Sequence, residues 1–169
     1  DRDYVYLEVP YEKYAGANWC LPASGAMTFK YFGMDISQAQ IASKVITNGT
    51  SSGFRFISLA KSLGFDTKYQ SKTIEEIKVL LEEDIPVIAV QNYSLNLPYS
   101  HARVIIGFDD EKEEVITNDP TAGKDYIISY ADFLALNFNS NPDKCKVIVL
   151  SPEEVDTINA ELIDNADNS

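Results

Sequence analysis

Cysteine and histidine are scarce in this sequence of 169 residues, which contains two cysteines and one histidine. Two cysteines cannot build a disulfide framework, and with a single histidine they offer no CxxC or HxxxH spacing that binds a zinc ion. Long apolar runs are also missing, because no window reaches the roughly 18 consecutive apolar residues of a membrane-spanning helix. We therefore expect no metal site, no cofactor and no membrane span.

Clusters of basic residues are missing as well. The sequence has 26 acidic residues against 14 basic ones, which gives a formal net charge of −12, and six of the acidic residues lie within 151–169. No segment gathers Lys and Arg beside aromatic residues, so the protein's own field would repel a phosphate backbone. Nucleic acid is therefore not an expected partner.

The residue pattern changes near the middle of the chain. The first half predicts a short strand over 5–9 and helices over 23–32, 38–45, 54–63 and 74–83, two of which begin with capping boxes, Ser37 with Gln40 and Thr73 with Glu76. From Pro86 onward, β-rich runs predict antiparallel strands near 86–92, 101–110, 114–119, 125–129 and 145–151, with a short helix near 130–136. Helices followed by strands indicate an α+β fold.

The chain length fits one domain with an extension. We expect the domain to span residues 1–150 and the acidic remainder, 151–169, to be a helical or disordered tail. The chain begins at Asp1 rather than Met, which favours a removed N-terminal segment and an extracellular or cell-surface location. The sequence leaves the compartment and the oligomeric state open.

Cys20 has the sequence context of a nucleophile. It lies directly before the predicted start of the first long helix, where free backbone amides and the helix dipole favour a thiolate over a thiol. The alternative is a small core residue, as cysteine often is. Cys145 opens the last predicted strand, and we expect it to serve packing or to face solvent.

His101 and Asp119 are the candidate partners of Cys20. His101 is the only histidine, so a general base that acts near neutral pH is most simply this residue, at the end of a strand. Asp119 ends the next strand, and a hairpin brings it near His101, where a carboxylate would orient the imidazole. A structural histidine, an Asp-Pro turn and the neighbouring Asn118 as the orienting residue remain the alternatives.

Together these segments resemble a known family. The residues VPY at 9–11, NWCLPASGAM at 18–27, the PVIAV run, HARVIIGFDD at 101–110 and ITNDPTAG from Ile116 are similar to the peptidase C39-like family of papain-fold cysteine peptidases. The resemblance covers about residues 7–149. It implies Cys20 as nucleophile, His101 as base and Asp119 as its orienter, in a helical half packed on an antiparallel sheet. It also implies thiol-dependent hydrolysis of a peptide or protein substrate.

Two positions depart from the family pattern. Leu21 follows the cysteine where members usually have Gly, and Tyr14 stands near the position of the family's oxyanion-hole Gln. Loss of one oxyanion donor typically lowers the rate by about 10²–10³-fold. Asn18 and the Tyr14 hydroxyl are the candidate replacements. The departures favour an alternative function, a catalytically weak or inactive papain-fold module that binds peptides or a partner protein, and acyl transfer by the same residues is a third.

Aromatic residues are concentrated in the loops that flank Cys20 and His101. A cleft for an extended peptide is one interpretation, with Trp19, Leu21, Tyr93 and Tyr99 as the candidate lining residues. Aromatic lids over a small core are an equally good interpretation, because aromatic side chains serve both purposes.

Overall fold

The computed structural model describes residues 2–152, and within them an antiparallel sheet of seven strands carries helices on its faces. The helices are α1 (Cys20–Tyr31), α2 (Gln38–Val45), α3 (Gly53–Ser62), α4 (Ile74–Glu82) and α5 (Tyr130–Ala135). The strands are β1 (Tyr4–Tyr6), β2 (Ile46–Thr47), β3 (Thr50–Ser51), β4 (Asp66–Lys72), β5 (Val87–Asn92), β6 (Ser100–Asp109), β7 (Glu114–Asp119), β8 (Gly123–Ser129) and β9 (Cys145–Ser151).

The large sheet has the order β4-β9-β5-β6-β7-β8, and β1 pairs with the second half of β6. Strand β6 is central, since Gln91 of β5 lies opposite His101 and Asn118 of β7 lies opposite Val104. At Gly107 the β1 backbone comes so near that an added Cβ would lie 2.1 Å from the carbonyl oxygen of Val5. A side chain at this position is therefore incompatible with the pairing of β1.

The predicted helix starts agree with the structure where a capping box marks them. Ser37 and Gln40 cap α2 reciprocally, and Thr73 and Glu76 cap α4 in the same way, which satisfies backbone donors that a helix start leaves free. Helix α1 instead begins three residues before the predicted start, at Cys20. Pro22 is the third residue of this helix. Backbone N–H groups in the first turn of a helix have no intrahelical acceptor, so the missing N–H of proline costs no hydrogen bond at this position.

The core lies between α1 and the sheet. The ring of Phe29 on α1 packs against Phe56 on α3, with ring centroids 5.7 Å apart, and against Phe65, with centroids 5.6 Å apart. Gly25 leaves room for Phe56, because an added Cβ would lie 2.4 Å from that ring. This packing fixes the direction of α1 and with it the position of Cys20 at its first turn.

The α+β class and the antiparallel sheet are confirmed, whereas β4 and the β2–β3 hairpin were not predicted. Strand β4 is mostly exposed, with Thr67 its only buried residue, so it shows no alternation of apolar and polar residues. The predicted first strand, 5–9, is shorter and lies at Tyr4–Tyr6. The tail from 153 onward, predicted to be helical or disordered, lies outside the described residues. Within 2–152, no helix has the length and apolar character to cross a membrane.

Candidate active site

Cys20 is the first residue of α1 and is partly exposed at the floor of a groove. Burial alone would raise the pKa of its thiol. A hydrogen bond to His101, the charge of that imidazole, and the backbone amides of Ala102 and Leu21 lower the pKa further than burial raises it, so the net shift is downward. The surroundings of Cys20 therefore make its thiol easier to deprotonate than an ordinary cysteine.

His101, the second residue of β6, is buried, and its Nε2 lies 3.0 Å from Oδ1 of Asp119. Burial lowers the pKa of the imidazole, but its hydrogen bonds to Asp119 and Cys20 and the charge of Asp119 raise it more. The pKa of the thiol and the pKa of the imidazole thus shift toward each other, which eases proton transfer from Cys20 to His101.

Asp119 ends β7 and is completely buried. Its Oδ1 accepts hydrogen bonds from the amides of Thr121 and Ala122, at 2.8 and 2.9 Å, besides its contact with His101. Burial raises the pKa of this carboxyl group, yet the imidazole, Arg103 and these amides hold the pKa well below its usual range. The carboxylate thus both closes the Asp-Pro turn and pairs with the histidine.

Asn118, the alternative orienting residue, points elsewhere. Its Nδ2 donates to the carbonyl oxygen of Val9 at 3.0 Å, and its Oδ1 accepts from the amide of Asp125 at 3.2 Å. Asn118 therefore fastens the N-terminal segment and β8 to β7, and the described structure brings Asp119 to the imidazole.

Arg103 is a residue of this cluster that the sequence reasoning missed. It is fully buried, and its Nε donates to Oδ2 of Asp119 at 3.0 Å. The signal was present in the sequence as one charged residue inside the apolar run HARVIIGF. Charged residues are almost never fully buried unless they are paired, so such a residue predicts a buried partner.

The groove that contains Cys20 and His101 has a volume of about 1000 Å³. Of the four residues predicted to line a cleft, Trp19, Leu21 and Tyr99 are at its wall. Tyr93 is not among the lining residues. Its ring stacks on Tyr99, with centroids 5.3 Å apart, and meets the His101 ring edge to face at 4.9 Å, so it supports the wall from behind.

The two candidate oxyanion donors, Tyr14 and Asn18, line the same groove. Asn18 has a positive φ of 64°, and its Nδ2 donates to the carbonyl oxygen of Gly49 at 3.4 Å, which ties it to the β2–β3 hairpin. The loop that carries Tyr14 is held by Gln38, a further residue that sequence reasoning missed. Its Oε1 accepts from the amide of Ala15 at 2.9 Å, and its Nε2 donates to the carbonyl oxygen of Lys13 at 2.8 Å.

This arrangement places a thiol at a helix start beside a histidine on a strand, and the histidine is paired with a carboxylate. It is the arrangement of papain-like α+β domains. The chain itself is a member of the Peptidase_C39 like family, whose family model matches residues 6–141. This finding confirms the family and the fold predicted from the sequence. The roles of the individual residues remain predictions.

Solved structures agree with the family assignment at the level of the fold. The chain is similar to a protein described as a C39-like peptidase from Bacillus anthracis, with 18% identity over 89% of this chain and 98% of that chain and a TM-score of 0.68. It is also similar to a double glycine motif protease from an AMS/PCAT transporter, solved in complex with the leader peptide, with 21% identity over 87% and 95% of the two chains and a TM-score of 0.66. A third is the peptidase domain of Streptococcus ComA, a bi-functional ABC transporter, with 20% identity over 83% and 96% and a TM-score of 0.62. No curated protein sequence matches the chain significantly.

Proposed function

We propose that the protein hydrolyses peptide or amide bonds with Cys20 as nucleophile, His101 as base and acid, and Asp119 as the group that orients the imidazole. The observation that carries this proposal is the line of contacts at the groove floor. The His101 imidazole interacts with the Cys20 thiol and lowers its pKa, and the same imidazole bonds to a buried carboxylate through Nε2. This is the order of contacts that a nucleophile, a base and an orienting group require.

In the first step His101 takes the proton of Cys20, a transfer that the lowered pKa of the thiol and the raised pKa of the imidazole favour. The sulfur attacks the carbonyl carbon of the substrate, and a tetrahedral intermediate with a negative oxygen forms. His101 gives its proton to the leaving amine, and an acyl-enzyme remains on Cys20. Water, deprotonated by His101, then attacks the acyl-enzyme and releases the acid.

The negative oxygen of the intermediate needs hydrogen-bond donors. The backbone N–H of Cys20 lies in the first turn of α1, where helix amides have no intrahelical acceptor. Tyr14 is the side chain on the groove wall that we propose as the second donor, because one of the two N–H groups of the Asn18 amide already donates to Gly49 and ties Asn18 to the β2–β3 hairpin. Each such donor acts on charge that develops in the transition state.

We propose a peptide segment of low charge as the substrate. The residues that line the groove within 2–152 include no Asp, Glu, Lys or Arg, although the whole chain carries a net charge of −12. Apolar and aromatic side chains prevail on its wall, among them Phe54, which is 80% exposed. An exposed aromatic side chain beside a groove is typical of a binding surface.

The test is cleavage of a fluorogenic peptide library by the wild type and two single-cysteine variants. We expect Cys20→Ala to lower turnover by about 10⁴-fold or more, as removal of a nucleophile does. Cys145→Ala, the matched control, should leave turnover near the wild-type value, since Cys145 is buried in β9. Cleavage that persists in Cys20→Ala, or that is absent from the wild type, would contradict the proposal.

A second candidate function is a peptide-binding module with little or no turnover. One observation favours it: the side-chain amide of Asn18 is engaged by Gly49, so the groove presents a tyrosine where the family has a glutamine donor. In that case the groove would bind a peptide without stabilising the oxyanion.

Substitution of Tyr14 separates the two functions. If the site lacks a second donor, Tyr14→Gln should raise turnover by up to about 10²-fold. If the Tyr14 hydroxyl already donates, Tyr14→Phe should remove most of the turnover and Tyr14→Gln should preserve it. Peptide affinity should change little in both variants, since the donor acts on the transition state. Absence of turnover in all three proteins, with peptide still bound, would favour the binding module.

A further inference from the structure

Arg103 occupies the centre of a buried polar network behind the groove. The residue is fully buried in the middle of the sheet, where an unpaired guanidinium would be strongly destabilising. The charged and titratable groups around it are Asp119 on β7, His101 on β6, the thiol of Cys145 on β9 and the phenol of Tyr93. Among residues 2–152, only Asp119 offers it a negative charge by direct contact.

The guanidinium makes four hydrogen bonds that divide into two groups. One group is the Nε donation to Oδ2 of Asp119, at 3.0 Å, which leaves Oδ1 for the imidazole. The other group reaches the end of β5 and the loop after it. Nη1 donates to the side chain of Gln91 and to the carbonyl oxygen of Asn92, at 3.3 Å, and Nη2 donates to the carbonyl oxygen of Tyr93, at 2.7 Å.

The loop that Arg103 holds contains the aromatic support of the groove. Tyr93 packs its ring against both His101 and Tyr99, and Tyr99 lies at the groove wall. A single guanidinium therefore joins the carboxylate that orients the imidazole to the loop that supports the substrate wall. A cation needed only to neutralise Asp119 would not require the contacts with the two carbonyl oxygens.

We propose that Arg103 is a positioning residue, which fixes the Asp119 carboxylate for His101 and fastens the Tyr93–Tyr99 loop in register with it. The inference rests on the proposed hydrolytic function and deepens it. The planar guanidinium of Arg103 suits this role, because its several N–H donors point in fixed directions at once. Lysine carries the same charge on a single compact group, so it can pair with the carboxylate but cannot span to both carbonyl oxygens.

The test compares Arg103→Met, Arg103→Lys and, as a matched control, Lys78→Met. Lys78 also pairs with a carboxylate, that of Asp110, at 2.7 Å. Asp110 follows the far end of β6, roughly 30 Å from His101 along the strand. We expect Arg103→Met to lower kcat by up to about 10²-fold, as misplacement of a catalytic group does, and to raise KM. Arg103→Lys should recover kcat in part while KM stays high. Lys78→Met should change neither.

A second measurement does not depend on turnover. His101 is the only histidine, so the ring proton on its Nε2 gives one NMR signal without ambiguity. Because Arg103 fixes the acceptor of this proton, we expect the signal to broaden by exchange with water in Arg103→Met and to stay sharp in Lys78→Met. If Arg103→Met does not fold, the ring-proton signal and the KM of Arg103→Lys are compared with those of the wild type instead.

Two results would overturn the inference. The first is a folded Arg103→Met with wild-type kcat, KM and ring-proton signal, and the second is an Arg103→Lys that equals the wild type in all three. If the wild type itself shows no turnover, the proposed function fails, and the ring-proton signal still decides whether Arg103 positions Asp119.

Discussion

The two cysteines of this chain lie in opposite environments. Cys20 is partly exposed at a helix start beside an imidazole, and the pKa of its thiol is lowered. Cys145 is buried at the start of β9, where burial raises the pKa to about 12 even though the charge of Arg103 acts in the other direction. The comparison shows that the surroundings, rather than the residue type, decide whether the pKa of a thiol is lowered or raised.

The largest effect we expect is the difference in alkylation between the two thiols. With a pKa of about 12, roughly one Cys145 in 10⁵ is a thiolate at pH 7. Cys20 should therefore react with iodoacetamide at least about 10³-fold faster than Cys145 in the folded protein. Mass spectrometry of both labelled peptides over time measures the ratio, with Cys20→Ser and Cys145→Ser as single-thiol controls. Similar rates would remove Cys20 as the nucleophile.

Loss of the imidazole should reduce the difference in alkylation rate between Cys20 and Cys145. We expect His101→Gln to move the pH profile of Cys20 alkylation upward by about 1–3 pH units, because the neighbouring positive charge is gone. The thiolate would then appear only at higher pH, so alkylation at pH 6 to 7 should slow. Alkylation of Cys145 in the same sample is the internal control and should not change. An unmoved Cys20 profile would show that the two side chains do not interact.

We expect Asp119 to have two effects. Through its bond to His101 it contributes to the difference in reactivity between the two thiols, and it also stabilises the fold. Because its pKa lies below the unfolded value of about 3.9, the carboxylate stabilises the fold at neutral pH, and this contribution is lost as the pH falls through the folded pKa. Asp119→Asn should lower the free energy of unfolding by about 3–5 kcal/mol, since it leaves Arg103 without its charge partner.

The control for this variant is Asp110→Asn, which removes the charge from the partly exposed contact with Lys78. Its effect should be about 1 kcal/mol or less. Urea unfolding between pH 3 and pH 7 measures both variants, and Asp119→Asn should show a weaker loss of stability below pH 4 than the wild type. Equal destabilisation by both variants would contradict the role of the buried carboxylate.

The smallest effect concerns the acidic tail, which stays a prediction. We expect a chain that ends at Pro152 to melt within a few degrees of the full chain, because 151–169 has few apolar residues to bury. The alkylation ratio of the two thiols should be unchanged. A large fall in Tm would show that the tail packs on the domain.

Much of the fold was predictable, because its signals are local. The capping boxes at Ser37 and Thr73 mark helix starts with residues only three positions apart, and the β-rich runs from Pro86 onward mark strands directly. Strand β4 was missed because pairing with β9 creates it, whereas its own residues are mostly polar. The residues of a strand do not by themselves indicate which strand it pairs with.

The site was predictable in part for the same reason. The helix start indicated Cys20, and the hairpin indicated that Asp119 would reach His101. The role of Arg103 depends on which carbonyl oxygens of the loop after β5 face its side chain, and the position of Tyr93 depends on how its ring stacks on Tyr99. Such contacts arise from tertiary packing, which spacing along the chain does not show.

The most direct test of the central claim is the titration of His101 by ¹⁵N NMR in the wild type, Cys20→Ala and Cys145→Ala. One histidine gives one titration curve. If Cys20 and His101 form a thiolate–imidazolium pair, the imidazole keeps its proton above the ordinary pKa in the wild type and in Cys145→Ala, and its pKa falls in Cys20→Ala because the hydrogen bond to the sulfur is lost. The same curve in all three proteins, or a wild-type pKa at or below the ordinary value, would contradict the pair and the mechanism built on it.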